Sequence, residues 1–247
     1  MRGGTPKGIY SQIVAMNTGG QWSGEEALAL DRLAVQASGK TRPWAVCIAS
    51  ASHDSPEVCD SFGALFGDEL RCRTDFIRVF RGTQDGDDYA RKIRRSEIVY
   101  LADGDGQALM DSLHRFGLEE EIRQAYERGV ILCGDGAGAI CWGKEIPNLN
   151  SKVGLGFLPL AIHLIKDELS SMALTNGTEA RAHPHLFLSK GSAIHFESDS
   201  LRVVGKPGSN KSALVEIDGT VRTLSVNKDI VRFHGQGENV QAVTIRR

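Results

Sequence analysis

Four short apolar runs, separated by amphipathic stretches, constrain this chain more than any other feature of its sequence. They are residues 44–49 (WAVCIA), 76–80 (FIRVF), 97–101 (EIVYL) and 130–133 (VILC). Runs of this kind suit parallel strands buried on both faces. Between and around them, residues 56–67, 87–95, 106–116 and 118–128 read as helices. Residues 24–37 place Leu28, Leu30, Leu33 and Ala34 near one helical face. Strands alternating with helices of this length build a mostly parallel central sheet with helices on both faces, joined by right-handed crossovers. After about residue 150 the pattern changes. Residues 192–204, 213–217, 221–225 and 240–245 read as shorter strands, and Asp218-Gly219 is a two-residue hairpin signal. The expectation is one α/β domain over residues 1–247, with an antiparallel C-terminal extension of the same sheet.

Composition excludes several classes. The chain has 247 residues, with 29 Lys+Arg against 31 Asp+Glu and a net charge of -2. A protein built mainly to bind nucleic acid would show a basic stripe; the run at residues 91–95 (RKIRR) reads as one solvated helix face. A chain this long buries roughly 70–75% of its unfolded surface, so its core needs neither metal nor disulfide. No apolar run nears the ~20 residues that span a bilayer, and the first residues, MRGG, lack the apolar stretch of a secretory signal. Five cysteines, an odd number with no Cys-x-x-Cys pair, suggest free thiols in a reducing cytoplasm. Cys47 and Cys133 sit in apolar runs and are expected to be buried and inert.

Ligands of open α/β sheets bind beyond the carboxyl ends of the strands. Two Gly-rich loops fall there, after Leu101 and after Cys133. Residues 130–143, VILCGDGAGAICWG, have the layout of a nucleophile elbow: strand, tight turn, helix. In an elbow of the form G-x-S-x-G the third position carries the nucleophile, and here it is Gly136. The same residues spell G-x-G-x-x-A, but no acidic residue ends a following strand about 20 residues on. No nucleotide cofactor is therefore expected. The turn still aims backbone N–H groups from a helix N-terminus, where an anion could bind without catalysis.

The segment AYERGVILCGDGAGAICWG resembles the elbow of the peptidase E and cyanophycinase group of serine peptidases, which has a G-x-S-A-G-A motif on a class I glutamine-amidotransferase-like fold. Upstream, residues 97–129 are similar to that group's strand, Gly-Gly-Asn-type loop and two helices, and residues 41–56 to its strand end. Downstream, residues 154–168 resemble the stretch with the family's catalytic His, and residues 192–204 its late strand. The similarity covers about residues 40–217. It implies serine-type hydrolysis of small acidic, Asp-containing peptides. His163 would be the base and Glu145 the acid partner, being the one carboxylate between elbow and His163. Ala137 with Gly104 or Asp105 would supply the oxyanion N–H groups. The implied ligand is a small acidic peptide or other small anion, with room for a homo-dimer and no nucleic acid, membrane or cofactor.

This chain departs from the pattern at the reacting atom. Gly136 has no side chain to attack with, and Asp103 in residues 102–105 (ADGD) puts a negative charge beside the oxyanion site. Turnover of the ordinary kind is expected to be impaired. The alternatives are a hydrolase using another nucleophile or an activated water, and a non-enzymatic binding or regulatory protein that keeps the fold. Asp135 lies one position early, so its side chain should point elsewhere, and Cys141 is expected in the core. His183-Pro184-His185 invites a metal reading, but no third ligand sits nearby in sequence. The expectation is exposed loop histidines and no metal.

Overall fold

A computed structural model describes residues 11–20, 24–81, 86–149, 152–165, 182–205, 212–234 and 241–246. Five strands form the parallel half of a nine-stranded sheet: β1 (Gln12–Asn17), β2 (Trp44–Ile48), β3 (Arg73–Ile77), β4 (Ile98–Leu101) and β5 (Ile131–Asp135). Their spatial order is β1-β5-β4-β2-β3. Helices α1 (Glu25–Ala37), α2 (Pro56–Phe62), α3 (Gly86–Arg95), α4 (Gly106–Arg115) and α5 (Leu118–Glu127) connect or flank them, and a π-helical segment, Gly63–Glu69, prolongs α2. A short α6 (Ala137–Ile140) follows β5 at once.

Strand alternation sorts the core into two layers. Ile13, Ala15, Val46, Ile48, Val99, Leu101 and Leu132 pack against α3, α4 and α5 through residues such as Ile93, Leu113 and Ile122. Val14, Met16, Ala45, Cys47, Ile98, Tyr100 and Cys133 face the other way, onto Leu30 and Ala34 of α1 and Phe62 of α2. Apolar residues at both parities explain why these strands read as continuous runs. All five cysteines are free and buried; burial pushes the thiols of Cys47 and Cys133 well above the usual range and that of Cys141 up to about 12.

The remaining strands are β6 (Glu145–Ile146), β7 (Lys152–Val153), β8 (Ala161–Ile165), β9 (His185–Ser189), β10 (Ser192–Glu197), β11 (Ser200–Gly205), β12 (Ser212–Ile217), β13 (Thr220–Ser225), β14 (Asp229–His234) and β15 (Gln241–Arg246). Strands β10, β11, β14 and β15 continue the large sheet antiparallel from the β1 edge. Strands β8, β9, β12 and β13 instead form a second, four-stranded sheet. The expectation of one continuous sheet thus holds for half of the C-terminal strands. Leu186, Leu188 and Val215 of the second sheet are buried and belong to the same core cluster as the α3–α5 side of the large sheet, giving these strands a core face of their own. The hairpin at Asp218-Gly219 joins β12 to β13, with both residues at positive φ.

Two boundaries move. The strand read at residues 76–80 runs from Arg73 to Ile77. It is an edge strand whose exposed residues hide its start, and past it the Asp54 carboxylate accepts the N–H groups of Phe80 and Arg81, removing them from any ladder. The apolar residues 13–16, outside the strands expected from the sequence, lie in β1 at the centre of the large sheet. No helix among the described residues is long and apolar enough to cross a membrane.

Candidate active site at the β5–α6 turn

Strand β5 turns into α6 within one residue. Gly136 sits at φ 57 and ψ -121, a conformation L-residues adopt only under strain. The turn is tight because Gly138 lies directly on the carbonyl of Leu101; a Cβ there would overlap that backbone. Small residues at Gly134, Gly136 and Gly138 therefore let α6 lie close on the sheet, in a strand, tight turn and helix.

The loop after β4 approaches the turn from the side. Asp105 caps α4, its carboxylate accepting from the N–H of Gln107 at 2.8 Å and of Ala108 at 3.2 Å. Its own N–H donates to Ala51 O at 2.7 Å, so it is not offered to a ligand. Gly104 and Ala137 both border the hollow and have N–H groups to donate. Both donate to one atom: Oδ1 of Asp103 accepts from Gly104 at 2.7 Å and from Ala137 at 2.8 Å. A Cβ placed on Gly136 would fall on the same carboxyl group.

A cleft of about 400 Å³ opens here, bordered by Asp103, Gly104, Gly136 and Ala137 on one side. Ile140, Ile146, Leu149 and Leu164 form its apolar wall. Asn17, at the end of β1, also borders it; its amide donates to Leu188 O at 2.8 Å and Ile165 O at 3.2 Å. This buried clamp ties the second sheet to the edge of the cleft. Among the described lining residues none is a cation.

Beneath the turn lies a second carboxyl. Asp135 is 2% exposed and accepts from the Thr18 N–H at 2.8 Å and from its hydroxyl. Burial pushes its pKa up to about 6; the Thr18 hydrogen bonds oppose the rise and the charge of Asp103 adds to it. Its side chain leaves the cleft, as its parity in β5 requires. Asp31 of α1, equally buried, has one oxygen without a hydrogen-bond partner, and burial with the Asp135 charge raises its pKa well above the carboxylate range. The sequence reading passed over Asp31. The available signal was its place on the buried stripe of α1, four residues after Ala27.

His163 and Glu145 do not border the cleft. Leu164 and Ile146 do, and neighbours in a strand point to opposite faces. The two meet behind the wall: His163 Nε2 lies 2.7 Å from His185 Nδ1, and His185 Nε2 lies 3.5 Å from Glu145 Oε1. His183 Nε2 is 3.8 Å from the same oxygen. Desolvation holds the His183 pKa below its usual value, against the opposing pull of Glu145 and with help from Lys144. The expectation of exposed loop histidines is corrected here. His185 is buried at the start of β9 and His183 is half-buried. The fold supplies the third potential ligand, Glu145, from 38 residues upstream of His183, beyond the reach of local spacing.

The model of peptidase family S51 matches residues 13–204 of the chain. This protein belongs to peptidase family S51. A Bacillus subtilis (strain 168) protein named as the uncharacterized peptidase YgaJ is 29% identical over 152 residues, 60% of this chain; the match spans 65% of that relative's length, just short of two thirds. In structure, the chain is similar to a peptidase from an acI-B1 actinobacterium, with a TM-score of 0.68 at 20% identity over 90% of this chain and 97% of that one. It is also similar to a putative peptidase E from Listeria monocytogenes EGD-e, with a TM-score of 0.61 at 12% identity over 79% and 98%. Both carry the α/β fold described above.

Proposed function

We propose that this S51 member has lost serine-type hydrolysis of small acidic peptides and keeps the cleft as a binding site. One observation carries the reading: the Asp103 carboxylate accepts both N–H groups that would otherwise meet an oxyanion, and stands where a side chain on Gly136 would be. A catalytic oxyanion hole works by holding donors ready where charge develops. Here a resident anion already uses them, and no hydroxyl or thiol is among the described lining residues. His163 and Glu145 facing away from the cleft support the same reading.

The charge in the cleft bears on the ligand. The Asp103 carboxylate repels an acidic side chain and attracts an ammonium group, while the cation on this side, Lys190, packs on Gly19 at the rim. A short peptide with a free amino terminus toward Asp103 and an apolar side chain against Ile146, Leu149 and Leu164 suits this lining better than an Asp-containing one.

A second reading has its own support in Asp103. A carboxylate beside the vacated position is a candidate nucleophile or base for an activated water. The test is hydrolysis of Asp-Leu and Leu-Leu dipeptides by the native protein and by Asp103→Asn, alongside thermal shifts with the same peptides. The proposal expects no free amino acids, and a larger shift with Leu-Leu than with Asp-Leu. Product formation that scales with protein and disappears in Asp103→Asn would establish the second reading instead.

A further inference from the structure

Glu145, His183 and His185 bring one ligand atom each to within 4.8 Å of one another, on the side of the β6 and β8 strands turned away from the cleft. The two measured edges, 3.5 Å from His185 Nε2 and 3.8 Å from His183 Nε2 to the same Glu145 oxygen, are close to what a tetrahedral zinc requires. With Zn–N and Zn–O bonds of about 2.0–2.1 Å, such a site has edges of about 3.3–3.4 Å. An inward movement of a few tenths of an ångström closes these two edges, and the edge between the two imidazoles, within 4.8 Å, closes by rotation of the His183 ring. His183 Nε2 is shielded from solvent and has no hydrogen-bond partner, a state that costs free energy unless something fills it.

We propose that Glu145, His183 and His185 form a binding site for a zinc-type divalent cation, with the fourth position open to water. Two imidazoles and a carboxylate select a borderline cation over magnesium or calcium, which prefer all-oxygen shells. His163 completes the arrangement without touching the ion. With His185 ligating through Nε2, its Nδ1–H donates to His163 Nε2 at 2.7 Å, which fixes the tautomer and the ring, as partners of metal-bound histidines do. The ion would tie β6, which follows the elbow helix, to the start of β9. Ile146 and Leu164 would then be backed by a fixed frame where they wall the cleft.

The test uses the full chain, stripped with EDTA and dialysed. After zinc is added back and the excess removed, zinc content by mass spectrometry and competition with a chromophoric chelator should give one ion per chain. Magnesium at the same concentration should leave the melting temperature unchanged. Cobalt(II) substitution should give the intense visible bands of a tetrahedral site. His183→Ala and Glu145→Gln should each weaken zinc binding by about 100-fold or more, and His163→Ala by roughly 10–100-fold. His195→Ala, on another strand, should not weaken it. Absence of stoichiometric zinc, a weak octahedral cobalt spectrum, or unchanged affinity in Glu145→Gln would each overturn the site. The cobalt spectrum of the unaltered chain decides the matter even if a histidine variant fails to fold.

Discussion

The carboxylate of Asp103 occupies the space that a side chain on Gly136 would need, while accepting the N–H of Ala137, the next residue, at 2.8 Å. The two positions are therefore coupled, and replacing either has a consequence at the other.

Gly136→Ser alone should be destabilising. The new side chain collides with the Asp103 carboxyl group, and the backbone at φ 57 is strained for any L-residue. A loss of about 2–4 kcal/mol is expected in urea unfolding. Adding Asp103→Gly should recover about 1–3 kcal/mol of it beyond additivity. A double-mutant cycle with no coupling would contradict the shared-space geometry.

Stability should fall between about pH 4 and pH 6 through Asp135. Burial raises its folded pKa to about 6, above the ordinary Asp value of about 3.9, so the folded state holds the proton more tightly. The resulting stabilisation is fully present below the unfolded pKa and lost as pH rises through the folded one. The size is on the order of 3 kcal/mol. Asp135→Asn keeps an acceptor for the Thr18 N–H and should flatten this part of the curve, read by unfolding midpoints across the pH range.

Gly138→Ala should be among the most damaging single methyl additions in the chain. Its Cβ would meet the backbone carbonyl of Leu101, which cannot rotate away. A loss of at least about 3 kcal/mol is expected, as a large drop in melting temperature. The same change at Gly117, where a Cβ meets nothing within 4 Å, should be milder and limited to the strain of its positive φ.

Asn17→Leu should loosen the second sheet without unfolding the large one. It leaves the carbonyls of Leu188 and Ile165 without the Asn17 amide that both now accept, at a cost of about 2–3 kcal/mol. Hydrogen exchange should accelerate in β8 and β9 and stay slow in β4 and β5.

The parallel half of the sheet was legible because its strands are buried on both faces and its helices are amphipathic; periodicity records both. The elbow was legible because glycines at 134, 136 and 138 have few other uses between a strand and a helix. The second sheet was not legible, since β8 and β12 show the same alternation as β10 and β11 and differ only in which layer they cover. Gly136, Gly104 and Ala137 were named from the chain and lie together in the cleft. Asp103 was noticed for its charge, but its place as acceptor for two N–H groups needed the loop after β4 folded against the turn after β5.

By itself the amino-acid order determined the α/β alternation, the sharp turn after Cys133 and the lack of a side chain at Gly136, because each depends on neighbours a few residues apart. Only the tertiary structure decided that Asp103 accepts the N–H groups of Gly104 and Ala137, that His163 and Glu145 lie off the cleft, and that Glu145 joins His183 and His185. The Asp103–Ala137 and Glu145–His185 relations link residues 34 and 40 positions apart in sequence, and side-chain chemistry over such separations is set by which strands pair and which face each one presents.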